Sequence, residues 1–306
     1  MFIGIDVDKA GFEVAVRPTG ASWRVKRDKA GIRSLVKALV KLKAQRVALE
    51  STGGYELELL QALAAAGLVV FQLNPRRVRD LARGLGRLAK TDQIDAGVLA
   101  EVAEKIQAAP YVPPSPAEQR LHALVRRRHQ VVADRARETN RLEHAQGEIL
   151  ASIRRGIAAL KREVQRLEAD IRQATAASPA LVDRVRVIRT QCGCGKNVSA
   201  VMVAGLPELG RLQRPQITAL AGLAAYNCDS GAQRGQRHIY GGREEVRRSL
   251  YMASLSASRH DPNLRQFYQG MRARGKAAKL ALIAVARKIL VRLNARMRDH
   301  YKLQPT

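Results

Sequence analysis

The order of apolar segments in the first hundred residues constrains the fold of this chain more than any other feature. Residues 2–8 and 11–17 are predicted to be paired strands, with alternating Phe12, Val14 and Val16 in the second, and residues 22–27 can add a third strand. Helical spacing then alternates with strands that end at Glu50 and Leu73, and helices are predicted over 75–86 and 91–106. The early hairpin argues against a doubly wound sheet, which is the alternative for such a pattern.

Three strands followed by helix, strand, helix, strand and helix is the order of an RNase H-like α/β domain. Four acids lie where this domain could gather them: Asp6 and Glu50 at strand ends, and Asp92 and Asp95 three apart on one helix face. Carboxylates are suitable ligands for Mg²⁺ or Mn²⁺, and two such ions about 4 Å apart assist phosphodiester displacement. The ordinary alternative is that Asp92 caps its helix and Glu50 is a strand-end charge. We predict that the four acids form a metal site.

The charge of the chain indicates its partners. It carries 54 Lys and Arg against 27 Asp and Glu, a formal net charge of +27, and residues 182–306 alone hold 23 bases and 7 acids. Nucleic acid is the usual partner of such a protein, and a membrane surface is the weaker alternative. No segment approaches the roughly 18 apolar residues of a spanning helix, so no membrane partner is expected. The phosphate-binding motif of nucleotide hydrolases is missing, so that activity is not supported.

Behind the first domain the sequence predicts mainly helices. Residues 109–116 hold four prolines and are predicted to be a linker, and 117–147 and 149–176 are predicted to be two long helices. Apolar residues in the second helix recur from Ile149 to Ile171 at coiled-coil spacing, which suits either a spacer or a dimerisation arm. Cys192–Lys196 resembles the turn of a helix-hairpin-helix, although a plain glycine turn is a close alternative. Helices follow over 213–223, 243–258 and about 276–298, with Leu280 and Ile289 predicted to be buried in the last.

A polar loop in the rear half carries a second candidate site. Ser230 lies between Asp229 and Gly231 with arginines nearby, where a phosphate could be bound and attacked by the serine oxygen. A serine in such a loop is more often simply turn-forming, and Tyr226, Tyr240 and Tyr251 are rival nucleophiles. The basic side chains of this half are predicted to contact nucleic-acid phosphates rather than to form a solvated face. These residues are Lys196, Arg234, Arg237, Arg243, Arg247, Arg248, Lys276 and Lys279.

Several motifs together resemble the DEDD insertion-sequence transposases, that is, the insertion-sequence one-hundred-and-ten family, related to Piv-type DNA invertases. In the front half they are Gly4-Ile5-Asp6, Glu50-Ser51-Thr52-Gly53-Gly54-Tyr55, Asn74-Pro75 and Lys90-Thr91-Asp92-Gln93-Ile94-Asp95-Ala96. In the rear half they are Asp229-Ser230-Gly231-x-x-Arg234-Gly235, Gly241-Gly242-Arg243, Leu250-Tyr251-Met252 and Gly275-Lys276. One departure is Cys192-Gly193-Cys194-Gly195, where the family usually has Pro-Gly-x-Gly.

The resemblance implies a division into a RuvC-like domain at 1–108, the linker at 109–116, a helical coiled-coil arm at 117–178 and a transposase domain at 179–306. It further implies that Asp6, Glu50, Asp92 and Asp95 bind Mg²⁺ and that Ser230 becomes covalently linked to DNA. The implied partners are double-stranded donor and target DNA, a non-coding guide RNA and further copies of the chain, as a dimer or tetramer, in the cytoplasm at the nucleoid of a prokaryote. Two other functions stay open: a structure-specific nuclease that uses metal-activated water, and a non-enzymatic architectural protein.

Overall fold

The computed structural model describes residues 1–87, 91–105, 110–227 and 237–303. The chain forms two compact units, Met1–Pro113 and Pro114–Thr306. The division falls inside the proline-rich segment, where the prolines at 110, 113, 114 and 116 suit neither a helix interior nor a central strand. Each unit has a hydrophobic core of its own.

The first unit is built on a mixed sheet with the strand order β3-β2-β1-β4-β5. The strands are β1 (Phe2–Val7), β2 (Gly11–Arg17), β3 (Ser22–Lys26), β4 (Arg46–Glu50) and β5 (Val70–Leu73). β2 pairs antiparallel with β1 and β3, whereas β4 pairs parallel with β1 and β5. The mixed α/β character expected from the early hairpin and the later helix–strand alternation is confirmed.

Helices cover both faces of this sheet. Strand alternation sends Ile3 and Ile5 to one face, where they pack with α1 (Lys29–Lys41) and α2 (Leu57–Ala65). The other face carries α3 (Pro75–Gly84) and α4 (Asp92–Lys105), which pack with Ala48 of β4. The alternate residues of β1 therefore lie beneath α4.

The second unit begins with α5 (Pro116–Arg141), a single 3-10 turn at Leu142–His144, and α6 (Gly147–Ala176). α5 and α6 run antiparallel, with Val131 packed against Val164 and Leu167, and Arg128 Nε donating to Glu168 at 2.9 Å. The rear part of the predicted apolar stripe on α6 is thus buried within this chain, whereas Ile149 at its front is 66% exposed.

The remaining elements are α7 (Pro179–Arg189), α8 (Lys196–Gly205), α9 (Arg214–Leu220), β6 (Ala225–Tyr226), β7 (His238–Ile239), α10 (Glu244–His260), α11 (Pro262–Ala273) and α12 (Ala278–Leu303). They surround a core centred on α10 and α12. The prediction that Leu280 is buried is wrong: it is 48% exposed because it lies about two and a half turns before the buried Ile289, on the opposite side of α12. Within the described ranges, no helix has both the length and the apolar character to cross a membrane.

Candidate active site

Gly4 determines where α4 crosses the sheet, and thereby what lies above Asp6. A Cβ at Gly4 would lie 2.0 Å from the carbonyl oxygen of Ala96 and 2.2 Å from the backbone nitrogen of Ala100. The helix backbone therefore rests directly on the strand, and only glycine allows this approach. Asp6 projects to the same face two residues further along β1, towards the N-terminal end of α4.

Glu50 belongs to the same face by the same alternation. β1 and β4 pair in parallel with Ile5 opposite Leu49, so the next step of this register sets Asp6 beside Glu50. Ala48, two residues before Glu50, packs against α4. The two strand-end acids predicted from the sequence therefore lie on neighbouring strands beneath one helix.

The first turn of α4 carries Asp92 and Asp95, and neither carboxylate is used to cap the helix. The Thr91 hydroxyl accepts a hydrogen bond from the Ile94 N–H at 3.2 Å, and the Thr91 carbonyl accepts one from the Asp95 N–H at 2.9 Å. The ordinary explanation of Asp92 as the capping residue is wrong, because Thr91 already fulfils that role.

Asp6 lies close enough to Asp92 and Asp95 for their charges to act on it. The Asp6 side chain is 9% exposed, and its pKa is raised from 3.8 to about 6. Burial is the main cause, the negative charges of Asp92 and Asp95 add to it, and a hydrogen bond from the Val7 N–H partly offsets it. Repulsion of this kind requires the helical pair to lie near Asp6, and a bound cation would relieve it.

Two arginines that the sequence reading missed contact the helical pair. Arg24 Nη1 lies 3.5 Å from Asp92 Oδ2, and its other Nη pairs with Asp8. Arg79 Nη1 lies 3.9 Å from Asp95 Oδ1. Arg24 could have been found from the strand register, because it lies opposite Glu13, which in turn lies opposite Asp6, so the Arg24 side chain is on the same sheet face as Asp6. Arg79 has no such local signal.

The described residues contain no group of three or more His, Cys, Asp or Glu side chains arranged closely enough to hold a metal ion. The donors nevertheless fit a hard divalent cation in their chemistry: they are carboxylates on helix and strand ends, and burial together with the charges of Asp92 and Asp95 raises the pKa of Asp6. Arg24 and Arg79 now supply positive charge to two of them.

The turn after Glu50 is held by a buried acid that the sequence reading also missed. Glu56 is 3% exposed and accepts hydrogen bonds from the Thr52 hydroxyl at 3.0 Å, the Gly54 N–H at 2.9 Å and Gln72 Nε2 at 3.1 Å. The Gly54 N–H is therefore already engaged within the chain. Glu56 thereby fixes the backbone that follows Glu50.

The predicted nucleophile Ser230 and the nearby Arg234 lie outside the described residues. The ends of their loop are fixed by the antiparallel pair of β6 and β7. After β7, the backbone at Gly242 packs closely against Gly222, since a Cβ at Gly242 would lie 2.1 Å from the nitrogen of Gly222. The described residues on either side of residues 228–236 therefore pair with one another in the second unit.

The predicted phosphate contacts differ in how far they are engaged within the chain. Arg243 forms a two-pronged ion pair with Glu208 at 2.6 and 2.7 Å and donates to the Gly205 carbonyl, which gives it a structural role. Arg248 pairs with Glu244, and Arg247 donates to the Gly241 carbonyl. The exposed members of the set that the structure describes without such contacts are Lys196, Arg237, Lys276 and Lys279.

The chain joins an acid-bearing α/β unit to a basic helical unit, and comparison with known proteins identifies the class of DNA-processing enzyme to which it belongs. Residues 3–150 match a family model of DEDD-type IS110 proteins described as "Transposase", and residues 185–269 match one described as "Transposase IS116/IS110/IS902 family". The chain therefore belongs to the IS110 family of transposases, and it is a DNA transposase or recombinase.

Curated relatives agree with this assignment. The chain is 26% identical to the pilin gene-inverting proteins of Moraxella bovis and Moraxella lacunata over 246 residues, 79% of this chain and 76% of each relative. It is also 26% identical over 153 residues to an uncharacterized 43.6 kDa protein of insertion element IS110 from Streptomyces coelicolor, 49% of this chain and 37% of that protein.

Proposed function

We propose that this transposase cuts and rejoins double-stranded DNA through a covalent phosphoserine intermediate, with an RNase H/RuvC-like first unit that holds divalent cations. Asp6, Glu50, Asp92 and Asp95 would hold Mg²⁺ or Mn²⁺, and Ser230 would attack the DNA. The observation that carries the proposal is the position of Asp92 and Asp95 beside Asp6, whose pKa is raised by burial and by their negative charges. Carboxylates that repel one another in a strongly basic protein are most simply explained as cation ligands.

The proposed reaction conserves the phosphodiester bond energy. Ser230 Oγ attacks a DNA phosphorus, the Oγ–P bond forms, and the bond from phosphorus to one sugar oxygen breaks. The serine proton passes to a base, and the departing sugar oxygen takes up a proton. In the second step, a sugar hydroxyl from another strand attacks the phosphoserine, which restores a DNA phosphodiester and returns a proton to Ser230. Bound divalent cations would stabilise charge on the attacking and leaving oxygens.

Charged residues of this chain have separate tasks in this scheme. The acids of the first unit would hold the cations, whereas exposed bases such as Lys276 and Lys279 would neutralise DNA phosphates in the second. Glu56 would keep the Glu50 backbone in position through its three hydrogen bonds. A non-coding guide RNA and assembly into a dimer or tetramer belong to the proposal through the family resemblance, and a DNA substrate would place the protein at the nucleoid in the cytoplasm.

The test is to trap a covalent protein–DNA adduct on element-end DNA in the presence of Mg²⁺. Ser230→Ala should abolish the adduct, and Asp6→Asn should abolish both adduct and cleavage. Tyr226→Phe and Tyr240→Phe are controls for the rival hydroxyls, and Asp8→Asn is the control for loss of a neighbouring acid. An adduct that still forms with Ser230→Ala would show that Ser230 is not the nucleophile.

The same assay distinguishes the proposed recombinase from the alternative, a nuclease that uses metal-activated water. If Ser230→Ala leaves cleavage intact while Asp6→Asn removes it, the reaction uses metal-activated water and the second unit only binds. Cleavage that survives Asp6→Asn would refute the role of the first unit. The guide RNA is tested by co-purification and sequencing of bound RNA, and assembly by light scattering of the nucleic-acid complex.

A further inference from the structure

The second unit contains a groove that neither the acids of the first unit nor the Ser230 loop explains. It lies between the end of α6, α7 and the beginning of α8, and its volume of about 580 Å³ falls within the roughly 300–1,000 Å³ of small-ligand sites. Apolar side chains form its walls: Ile171, Val182, Val185, Ala176 and Ala200. Basic side chains form its rim: Arg172, Arg186, Arg189 and Lys196.

The positive charge on this rim is poorly neutralised by the protein itself. Arg186 pairs with Asp183 at 3.1 Å, whereas Arg172, Arg189 and Lys196 form no ion pair within the part of the chain that the structure describes. Elsewhere in the unit, arginines that lie between helices have acidic partners, such as Arg184 with Glu118 at 2.9 Å. Like charges around one groove repel one another, so an anionic occupant would be favoured.

The apolar walls narrow the class of anion. The backbone of a duplex presents phosphates and sugars and keeps the base faces stacked inside, so it has little to place against valine and isoleucine. An unpaired nucleotide exposes the flat apolar face of its base as well as its phosphates. No Phe, Tyr or Trp lines the groove, so base contact would come from aliphatic walls and from arginine planes.

We propose that this groove binds an unpaired stretch of single-stranded nucleic acid. Phosphates would lie on Arg172, Arg189 and Lys196, and a base would lie against Val182 and Val185. This binding proposal goes beyond the proposed phosphoserine reaction. It rests on the proposed function only in one respect: the protein acts on nucleic acid. Because it is tested by binding without cleavage, its failure would leave the Ser230 chemistry untouched, and the reverse also holds.

The test compares two triple variants of the full-length chain that remove equal charge. The groove variant combines Arg172→Ala, Arg189→Ala and Lys196→Ala. The control combines Arg154→Ala, Arg155→Ala and Lys161→Ala, which are exposed on the front part of α6, away from the groove. All six side chains are exposed, so both variants should keep the melting temperature of the wild type, which is checked first.

Affinity is measured by fluorescence anisotropy across a salt series with four probes of about 12 nucleotides, a length within the usual range for single-strand sites. The probes are oligo-uridine, oligo-thymidine, an abasic deoxyribose-phosphate strand and a duplex. For the single strands, the groove variant should lower the slope of log affinity against log salt by about 2, since each phosphate contact contributes about 0.7. Wild-type protein should bind the abasic strand about tenfold more weakly than oligo-thymidine, because tenfold is the loss of affinity typical for removal of one base contact.

Preference for oligo-uridine or oligo-thymidine identifies whether the strand is RNA or DNA, and either preference supports the proposal. Equal losses for the groove and control variants on every probe would overturn it, because only general charge would then matter. A loss confined to the duplex, or equal affinity for the abasic strand, would also overturn it. Competition by an acidic peptide but not by oligo-uridine would assign the groove to a protein partner instead.

Discussion

Replacement of the buried acid at the centre of the candidate site should make the metal-free protein more stable while it removes activity. Asp6 is held in ionised form at neutral pH against burial and against the charges of Asp92 and Asp95. Asp6→Asn removes this charge with little change in shape. It also keeps the acceptor oxygen for the Val7 N–H, which lies 3.0 Å from Asp6 Oδ1.

The expected increase in the free energy of unfolding follows from the pKa of Asp6, which is raised from 3.8 to about 6 in the folded protein. Each unit corresponds to about 1.4 kcal/mol, so ionised Asp6 costs the folded state up to about 3 kcal/mol. Below about pH 3.8 the group is protonated in both states and costs nothing. Between about pH 4 and 6 only the folded state keeps the proton, so wild-type stability falls as pH rises, and above about pH 6 the loss is constant.

Urea denaturation in the presence of a chelator measures this difference. Trp23 is the only tryptophan in the chain and lies in β3, so its fluorescence reports unfolding of the first unit. Asp6→Asn should be more stable by about 2–3 kcal/mol at about pH 8, and the gain should vanish near pH 3.5. Mg²⁺ should reduce the difference in stability between Asp6→Asn and wild type, because an ion that binds only the folded wild-type protein stabilises the wild type.

The control is Asp8→Asn, which keeps an acceptor for the Gly11 N–H at 2.7 Å but loses the charge that pairs with Arg24, so it should destabilise the same unit slightly. A gain for Asp6→Asn that does not change with pH would refute the electrostatic reasoning. Equal stability of Asp6→Asn and wild type at about pH 8 would mean that Asp6 is not buried beside the acids of α4 in solution.

Three further perturbations test what surrounds this site. Gly4→Ala should destabilise by about 1–3 kcal/mol or more and abolish cleavage, because its Cβ would meet the Ala96 oxygen at 2.0 Å; urea denaturation and a cleavage assay measure this. Glu56→Ala should cost about 1–3 kcal/mol and weaken Mn²⁺ binding, whereas Glu56→Gln, which keeps an acceptor, should lose much less in both assays. Arg24→Gln should tighten Mn²⁺ binding by about two- to fivefold in calorimetry, because its guanidinium partly neutralises Asp92 at the exposed rim.

Each of these has an outcome that contradicts it. Normal cleavage by Gly4→Ala would show that α4 need not rest on β1. Equal losses for Glu56→Ala and Glu56→Gln would assign the residue a charge-dependent role rather than a hydrogen-bonding one. For Arg24, the matched control is Arg33→Gln, an exposed arginine on α1, and equal effects of the two variants would show that only the total charge matters.

The elements that the sequence predicted well have strong local signals. The β1–β2 hairpin follows from two short apolar runs with a tight connection, and Phe12, Val14 and Val16 are all buried as their alternation requires. The helix now labelled α4 was predicted at 91–106 and is described at Asp92–Lys105, with Thr91 as its capping residue. Period and capping depend only on neighbours in the chain, so they can be read without tertiary contacts.

The features that the sequence reading missed depend on distant partners. α11 is the exception, since it was not predicted although Leu264, Phe267, Tyr268 and Met271 recur at helical spacing. Glu56 has no distinguishing local pattern at the start of α2, and it is Gln72 of β5, sixteen residues away, that completes its buried hydrogen bonds. Arg243 looked like a phosphate ligand, and Glu208, thirty-five residues away, turns it into a structural cation.

The sequence by itself determined the alternation of strands and helices, the acids at strand ends and the i, i+3 pair on α4, because these features are periodic and local. Only the tertiary structure decided that α4 crosses β1 at Gly4, and hence that Asp92 and Asp95 raise the pKa of Asp6. It also decided that Arg24 and Arg79 pair with those acids and that Arg172, Arg189 and Lys196 surround one groove. Burial and charge interactions depend on distances in space, and spacing along the chain does not encode them.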